Sequence, residues 1–189
     1  MNKDVEALFA ARRSSDRDRA YEALRTLFRM TEQPVDWAYD VWPDLLDDLS
    51  AREGSTRAFA AQMLARLAIS DPDGRMLNDF PRLASVMNDE KTVTARHTLQ
   101  SLWRIGRAGA AQRELVVSAM VARFEGCADE KGARLVRRDV VAALGRLWRA
   151  TAEASVKERA DALVDAEPSE EERKKQRAAW QEAVGAAAE

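Results

Sequence analysis

Catalysis by side chains usually begins with a base or a nucleophile, and this sequence holds one histidine and one cysteine. His97 stands beside Arg96; to act as a general base it would need a nucleophile and an orienting acid within hydrogen-bond reach. No spacing in the sequence marks such a set, and a polar position on a helix surface accounts for the residue. Cys127 follows Gly126 without a second Cys or His at metal-ligand spacing, so it reads as an ordinary thiol at a helix end or in a loop. A single cysteine cannot close an internal disulfide. No glycine-rich phosphate loop follows a strand pattern. These absences point away from an enzyme and call for no cofactor or metal. Binding is the expected work.

Two charged sets are candidates for it. Asp36, Asp40, Asp44 and Asp48 recur every four residues, with Asp47 beside them. On a helix this spacing lines four carboxylates along one side and leaves Ala38, Trp42, Leu45 and Leu49 on the other. Like charges four apart destabilise a helix by roughly 0.2–0.5 kcal/mol per pair, a cost that a cationic partner would offset. A Lys/Arg-rich segment is the complementary ligand, and Trp37, read with Val41 as partly exposed, would add a cation–π contact. A solvated helix face is the competing reading. A metal site is not expected, because one straight helix cannot surround an ion such as Ca²⁺, which takes about six to eight oxygens.

The second set is basic. Within 94–149, eleven Lys and Arg oppose five Asp and Glu, with Trp103 and Trp148 among them. Arginines interleaved with tryptophan suit an anionic ligand, nucleic acid included. Against this, both tryptophans sit beside core positions and the sequence pI is near 5.7. Arg57, Arg96 and Arg138 recur near the starts of successive helices and form either a phosphate-binding row or a structural ladder. The ladder reading has Asp89 and Glu90 serving Arg96, and Asp129 and Glu130 serving Arg138.

The elements that position these residues follow from a repeat. Thr56–Ala68, Thr94–Gly106 and Arg137–Arg149 align on Arg66-Leu67, Arg104-Ile105 and Arg146-Leu147, at offsets of 38 and 42 residues. The apolar triplets Ala61/Leu64/Leu67, Leu99/Leu102/Ile105 and Val141/Leu144/Leu147 then coincide, each on one side of a helix. Tyr21/Leu24/Leu27 supplies a fourth copy forty residues upstream of the first. Val41-Trp42-Pro43-Asp44-Leu45-Leu46 resembles Asp79-Phe80-Pro81-Arg82-Leu83-Ala84, so each proline starts or kinks a second helix at a fixed place. The pattern predicts helix pairs near 16–30 and 34–50, 55–69 and 74–88, 92–106 and 109–125, and 133–150 and 155–166. A leading helix at 3–13 precedes them. Ser169 and Glu172 have capping-box spacing for a last helix at 169–184, whose thin apolar side predicts loose docking.

Composition agrees with a folded helical chain. Of 189 residues, 46% are hydrophobic and 33% charged, too apolar for wholesale disorder, and eight Gly and five Pro are few for a strand-and-turn protein. The net charge of -2 divides unevenly: by count, -4 over 1–50, +6 over 51–150 and -4 over 151–189. The charged start lacks the apolar run of a signal peptide, and no membrane-spanning stretch follows, so a cytoplasmic location is expected.

Helix pairs at a period near forty resemble HEAT repeats, specifically the short bacterial kind of phycobilisome-lyase-like proteins. Ala95-Arg96 with Leu99, Leu102 and Ile105-Gly106, and Val136-Arg137 with Ala143-Leu144-Gly145, carry the likeness, which covers Asp16 to Glu167. It implies an all-α, right-handed α-α superhelix of about four helix pairs with terminal capping helices. The repeat domain is then 1–167, with units near 16–55, 56–93, 94–135 and 136–167, and 168–189 is a charged C-terminal helix or tail. Such repeats serve scaffolds, adaptors, lyase-like subunits and some nucleic-acid proteins, DNA glycosylases among them, so the fold alone does not choose. The resemblance places second helices on the concave surface. The expected partner-binding set is therefore Asp36, Trp37, Asp40, Asp44, Asp47, Asn78, Arg82 and Arg113, receiving another protein through a basic segment. Nucleic-acid or other polyanion binding by the third and fourth repeats is the alternative.

Overall fold

The computed structural model describes residues 3–186. Its elements are α1 (Lys3–Arg12), α2 (Arg17–Met30), α3 (Ala38–Asp48), α4 (Gly54–Leu67), α5 (Arg75–Ser85), α6 (Thr92–Ser101), α7 (Ala110–Gly126), α8 (Ala133–Thr151), α9 (Ala154–Ala166) and α10 (Glu170–Gly185). Short 3-10 turns extend α4 (Ala68–Ser70), α5 (Val86–Asn88) and α6 (Leu102–Arg107). No strand is present among the described residues, and none of their helices is long and apolar enough to cross a membrane.

Local chemistry sets the ends. The Asp16 carboxylate accepts from the backbone N–H groups of Asp18 and Arg19 at 3.0 and 3.2 Å, so α2 begins there. Ser169 Oγ accepts from the Glu172 amide at 3.3 Å and starts α10. The reciprocal half of the expected capping box is not made: Glu167 Oε1 takes the Ser169 N–H at 3.2 Å instead. Glu172 has turned inward, and its side chain is only 4% exposed. Pro43 and Pro81 both lie inside helices, α3 and α5, and not at their starts. Both prolines face solvent.

Packing follows the repeat. First helices meet in order, α4 with α6, α6 with α8 and α8 with α10, and second helices do the same from α3 to α5, α7 and α9. All nine members of the triplets from Ala61 to Leu147 are 0% exposed. A leucine buried this completely contributes about 1.5–3 kcal/mol. The fourth triplet differs: Leu27 is buried, Leu24 half-buried and Tyr21 59% exposed. α2 packs chiefly against α1 and leaves Tyr21 outside that contact.

The expectation of a loosely docked last helix is overturned. α10 packs closely along α8, with Trp180 against Trp148 at 5.9 Å between ring centroids. Gly145 lets the two helices close up, since a Cβ there would stand 3.0 Å from the Ala183 Cβ. Polar burial completes the contact: Gln176, fully buried, donates to Glu167 at 3.1 Å, and Arg137 donates to the same carboxylate at 2.8 Å. Counting apolar residues misjudged this helix because its buried face is partly polar, and Gln176 reaches Glu167 across the interface.

Ion pairs brace each unit, and contacts such as Arg123 to the Met87 carbonyl and Arg96 to Asp139 join one unit to another. Arg57 donates to Asp89 at 2.5 and 2.8 Å, and also to the carbonyls of Ala51 and Arg52. Arg137 occupies the equivalent register position and takes Glu167 together with the Phe124 carbonyl. In the intervening unit that position is Ala95; Arg123 of α7 replaces the arginine, donating to Glu130 at 2.7 and 2.6 Å and to the Met87 carbonyl. The ladder thus exists with different partners from those expected. Arg96 does not use Asp89 or Glu90 but holds Asp139, and Arg138 lies 3.6 Å from Glu172 rather than on Asp129 or Glu130.

Acid should loosen these ties. Hydrogen bonding from Arg57 holds Asp89 below the usual carboxylate range, and Arg123 does the same for Glu130. At Glu167 burial pushes upward, but the Ser169 amide, Arg137 and Gln176 outweigh it and the net shift is downward. Groups with lowered folded pKa values contribute stability that is complete above their unfolded values and lost as pH falls through the folded ones. The urea midpoint is therefore expected to be level from about pH 6 to 8 and to drop below about pH 4.5. A midpoint that rises on acidification across that range would contradict these pairs.

Candidate functional site: an arginine-lined cleft

A concavity of about 1060 Å³ opens on the first-helix side, across α4, α6 with its 3-10 extension, α8 and the end of α10. Helical spacing builds its long wall: Arg138, Ala142, Arg146 and Arg149 recur at three- and four-residue steps along α8 and so share one face. With a rise of about 1.5 Å per residue, Arg138 to Arg149 spans roughly 16 Å. Opposite stand Arg96, His97, Trp103, Arg104 and Arg107, with Arg66 of α4 at one end and Glu182, Ala183 and Ala186 of α10 at the other.

Seven arginines and no lysine line the cleft, against three carboxylates, Glu32, Asp139 and Glu182. Two of the carboxylates are already engaged. Glu32 accepts from Arg66 at 2.6 Å and Arg104 at 2.8 Å, with Arg107 at 3.9 Å. Burial pushes the Glu32 pKa up, but these hydrogen bonds and charges outweigh it and hold it low. Asp139 accepts from Arg96 at 2.6 and 3.2 Å and from Gln100 at 2.9 Å. Arg146 and Arg149 have no carboxylate partner among the described residues. Arg146 donates to the Gln100 carbonyl at 3.3 Å and Arg149 to the Ala186 carbonyl at 2.5 Å. Trp103, half-buried, carries the Arg104 guanidinium 4.5 Å and the Arg107 guanidinium 5.7 Å from its ring centroid.

Guanidiniums match phosphate and carboxylate oxygens in a planar fork and keep their charge at every physiological pH. Low-dielectric walls strengthen the field of a charged concavity. The arrangement can thus hold anionic groups. His97 is exposed at the cleft, and Cys127 is fully buried, its thiol 3.3 Å from the Phe124 carbonyl.

None of the eight residues expected from the sequence lines this cleft. Asp36, Asp40, Asp44 and Asp47 are exposed, and Ala38, Trp42, Leu45 and Leu49 are buried opposite them. Asp36, however, precedes α3 and does not extend its stripe. Trp37 is a correction: it is 6% exposed, packed edge-on against Phe9 at 6.2 Å, and Val41 is likewise buried. The leading helix α1 supplies the ring that covers Trp37, a contact that spacing within α3 cannot reveal. Asp47 and Asp48 lie 3.3 and 3.4 Å from Arg82 and Arg13. Asn78 is exposed; Arg82 donates to the Leu46 carbonyl at 2.9 Å; Arg113 ties the Gly106 carbonyl to Glu153. Reasoning from sequence missed Glu32, Asp139 and Arg66, while its alternative, the basic set within 94–149, contains the other six cleft arginines and Trp103. One signal was available: Arg66, Arg104 and Arg146 recur in a single register, and a charge repeated beside core positions marks one face of the stack.

A comparison with models of protein families finds no match, and a search of the curated proteins finds no similar one.

Proposed function

We propose that the chain is a non-catalytic binding module, a HEAT-like right-handed superhelix of helix pairs, whose first-helix cleft takes an extended polyanion, nucleic acid before any other. The order of helix contacts and the three equivalent buried triplets support the repeat architecture. One observation carries the ligand class: seven arginines converge on a single cleft in which two of the three carboxylates are already bound to arginine. Trp103 favours nucleic acid over an acidic peptide, because a base can stack on an aromatic ring beside a cationic groove. Phosphates along the α8 row and a base toward Trp103 would use both walls.

Titration of labelled single-stranded DNA and RNA by fluorescence anisotropy tests this. Binding at micromolar protein and low salt is expected, with log affinity falling linearly in log salt by about 0.7 per phosphate contacted. An acidic polypeptide that outcompetes both oligonucleotides would move the ligand class to protein. No binding of any polyanion would end the reading.

The second reading, a protein partner presenting a basic segment, keeps one observation in its favour: Asp36, Asp40 and Asp44 are exposed together before and along α3. A pull-down in which Asp40→Lys with Asp44→Lys leaves every partner in place would remove it.

A further inference from the structure

The same guanidiniums that face the cleft also hold α10. The Arg138 Nε donates to the Arg134 carbonyl of its own helix at 3.2 Å and lies 3.6 Å from the Glu172 carboxylate at the start of α10. Arg149 donates to the Ala186 carbonyl just past its end at 2.5 Å. Glu182 brings the one cleft carboxylate that no arginine engages among the described residues. The C-terminal end of a helix carries partial negative charge on its free carbonyls, so the last turn of α10 presents to Arg149 what an anion would present.

We infer that α10 is a built-in competitor for the cleft: it occupies the two ends of the α8 arginine row, and a bound polyanion must draw Arg138 and Arg149 away from it. This rests on the polyanion reading of the cleft and adds its regulation. Because the two occupants share donors, the coupling is reciprocal: ligand loosens the helix, and loosening the helix strengthens the ligand. Glu172 is buried; its Oε1 accepts from Lys175 of the same helix at 3.2 Å and its Oε2 makes no hydrogen bond, so its hold on Arg138 is an ion pair without a completed contact. Such a contact yields to a better acceptor more readily than the bidentate Arg96–Asp139 pair would.

The test uses the full chain with Glu172→Gln and, separately, Glu182→Gln, each checked for unchanged helicity by circular dichroism. Labelled single-stranded DNA is the probe. Each variant is expected to bind about three- to tenfold more tightly than the parent chain, a coupling of ordinary size. Amide hydrogen exchange in 170–185 of the parent is expected to speed up when the oligonucleotide saturates it. Glu182→Gln keeps the inference testable if Glu172→Gln unfolds. Parent binding with unchanged affinity in the folded variants, or with α10 equally protected in the complex, overturns the competitor role and leaves the cleft as the binding site. Failure of parent and variants alike to bind overturns the polyanion reading and this inference with it.

Discussion

Replacing Leu144 with alanine is expected to lower the stability of the chain by about 3–5 kcal/mol. Leu144 is 0% exposed in the middle of α8, which packs against α6, α7, α9 and α10. Its loss removes the transfer energy of three carbons, a methine and two methyls, and leaves a void that neighbours on several helices must collapse into. They cannot do so freely, because Gly145 already brings Ala183 and Trp180 to contact distance on one side. The equivalent changes Leu64→Ala and Leu102→Ala should fall in the same range, since those side chains are also fully buried. Tyr21→Ala is the informative contrast. It occupies the same register position as Ala61, Leu99 and Val141 but is exposed, and should cost well under about 1 kcal/mol beyond helix propensity. Urea unfolding at neutral pH measures all four. Equal losses at Tyr21 and Leu144 would mean that the end of the stack is covered.

The second large effect concerns the cleft. Arg146→Glu combined with Arg149→Glu is expected to weaken single-stranded DNA or RNA by on the order of 100-fold at low salt, at two charge-assisted contacts of about 1.5 kcal/mol each. These two are chosen because removing them leaves no carboxylate stranded; each donates only to a backbone carbonyl. The helical spectrum should therefore stay unchanged, and the unfolding free energy from urea titration should hold within about 1 kcal/mol. Reversing Arg104 would be a poorer probe, since it is buried and the reversal would set one carboxylate against another, Glu32. Retained affinity in the double variant would place any nucleic-acid binding outside the cleft.

Much of this molecule is legible from spacing. Helix pairs fall within a few residues of the expected boundaries, and the three central triplets are core as their period requires. Ala38, Trp42, Leu45 and Leu49 are buried opposite the aspartates for the same reason: a helix periodic in one face fixes both faces at once. The site was less legible. Trp37, expected on the surface, is buried by Phe9 of α1, and α10, expected to be loose, closes one end of the cleft. Neither fact is local to the segment concerned.

Periodicity, caps and composition, which act over a few residues, were sufficient to settle an all-helical chain, the bounds of its helices and the side of each central first helix that turns inward. They also supplied the arginines and acids of the ties between units. Which arginine meets which acid was decided by packing, because the partners lie far apart in the chain: Arg57 and Asp89 are separated by 32 residues, Arg96 and Asp139 by 43, Arg104 and Glu32 by 72. Packing likewise decided that the cleft opens on the first helices, where arginines from α4, α6 with its 3-10 extension and α8 accumulate. A stripe on one helix has a charge; only neighbouring helices, by enclosing it, turn that charge into a site.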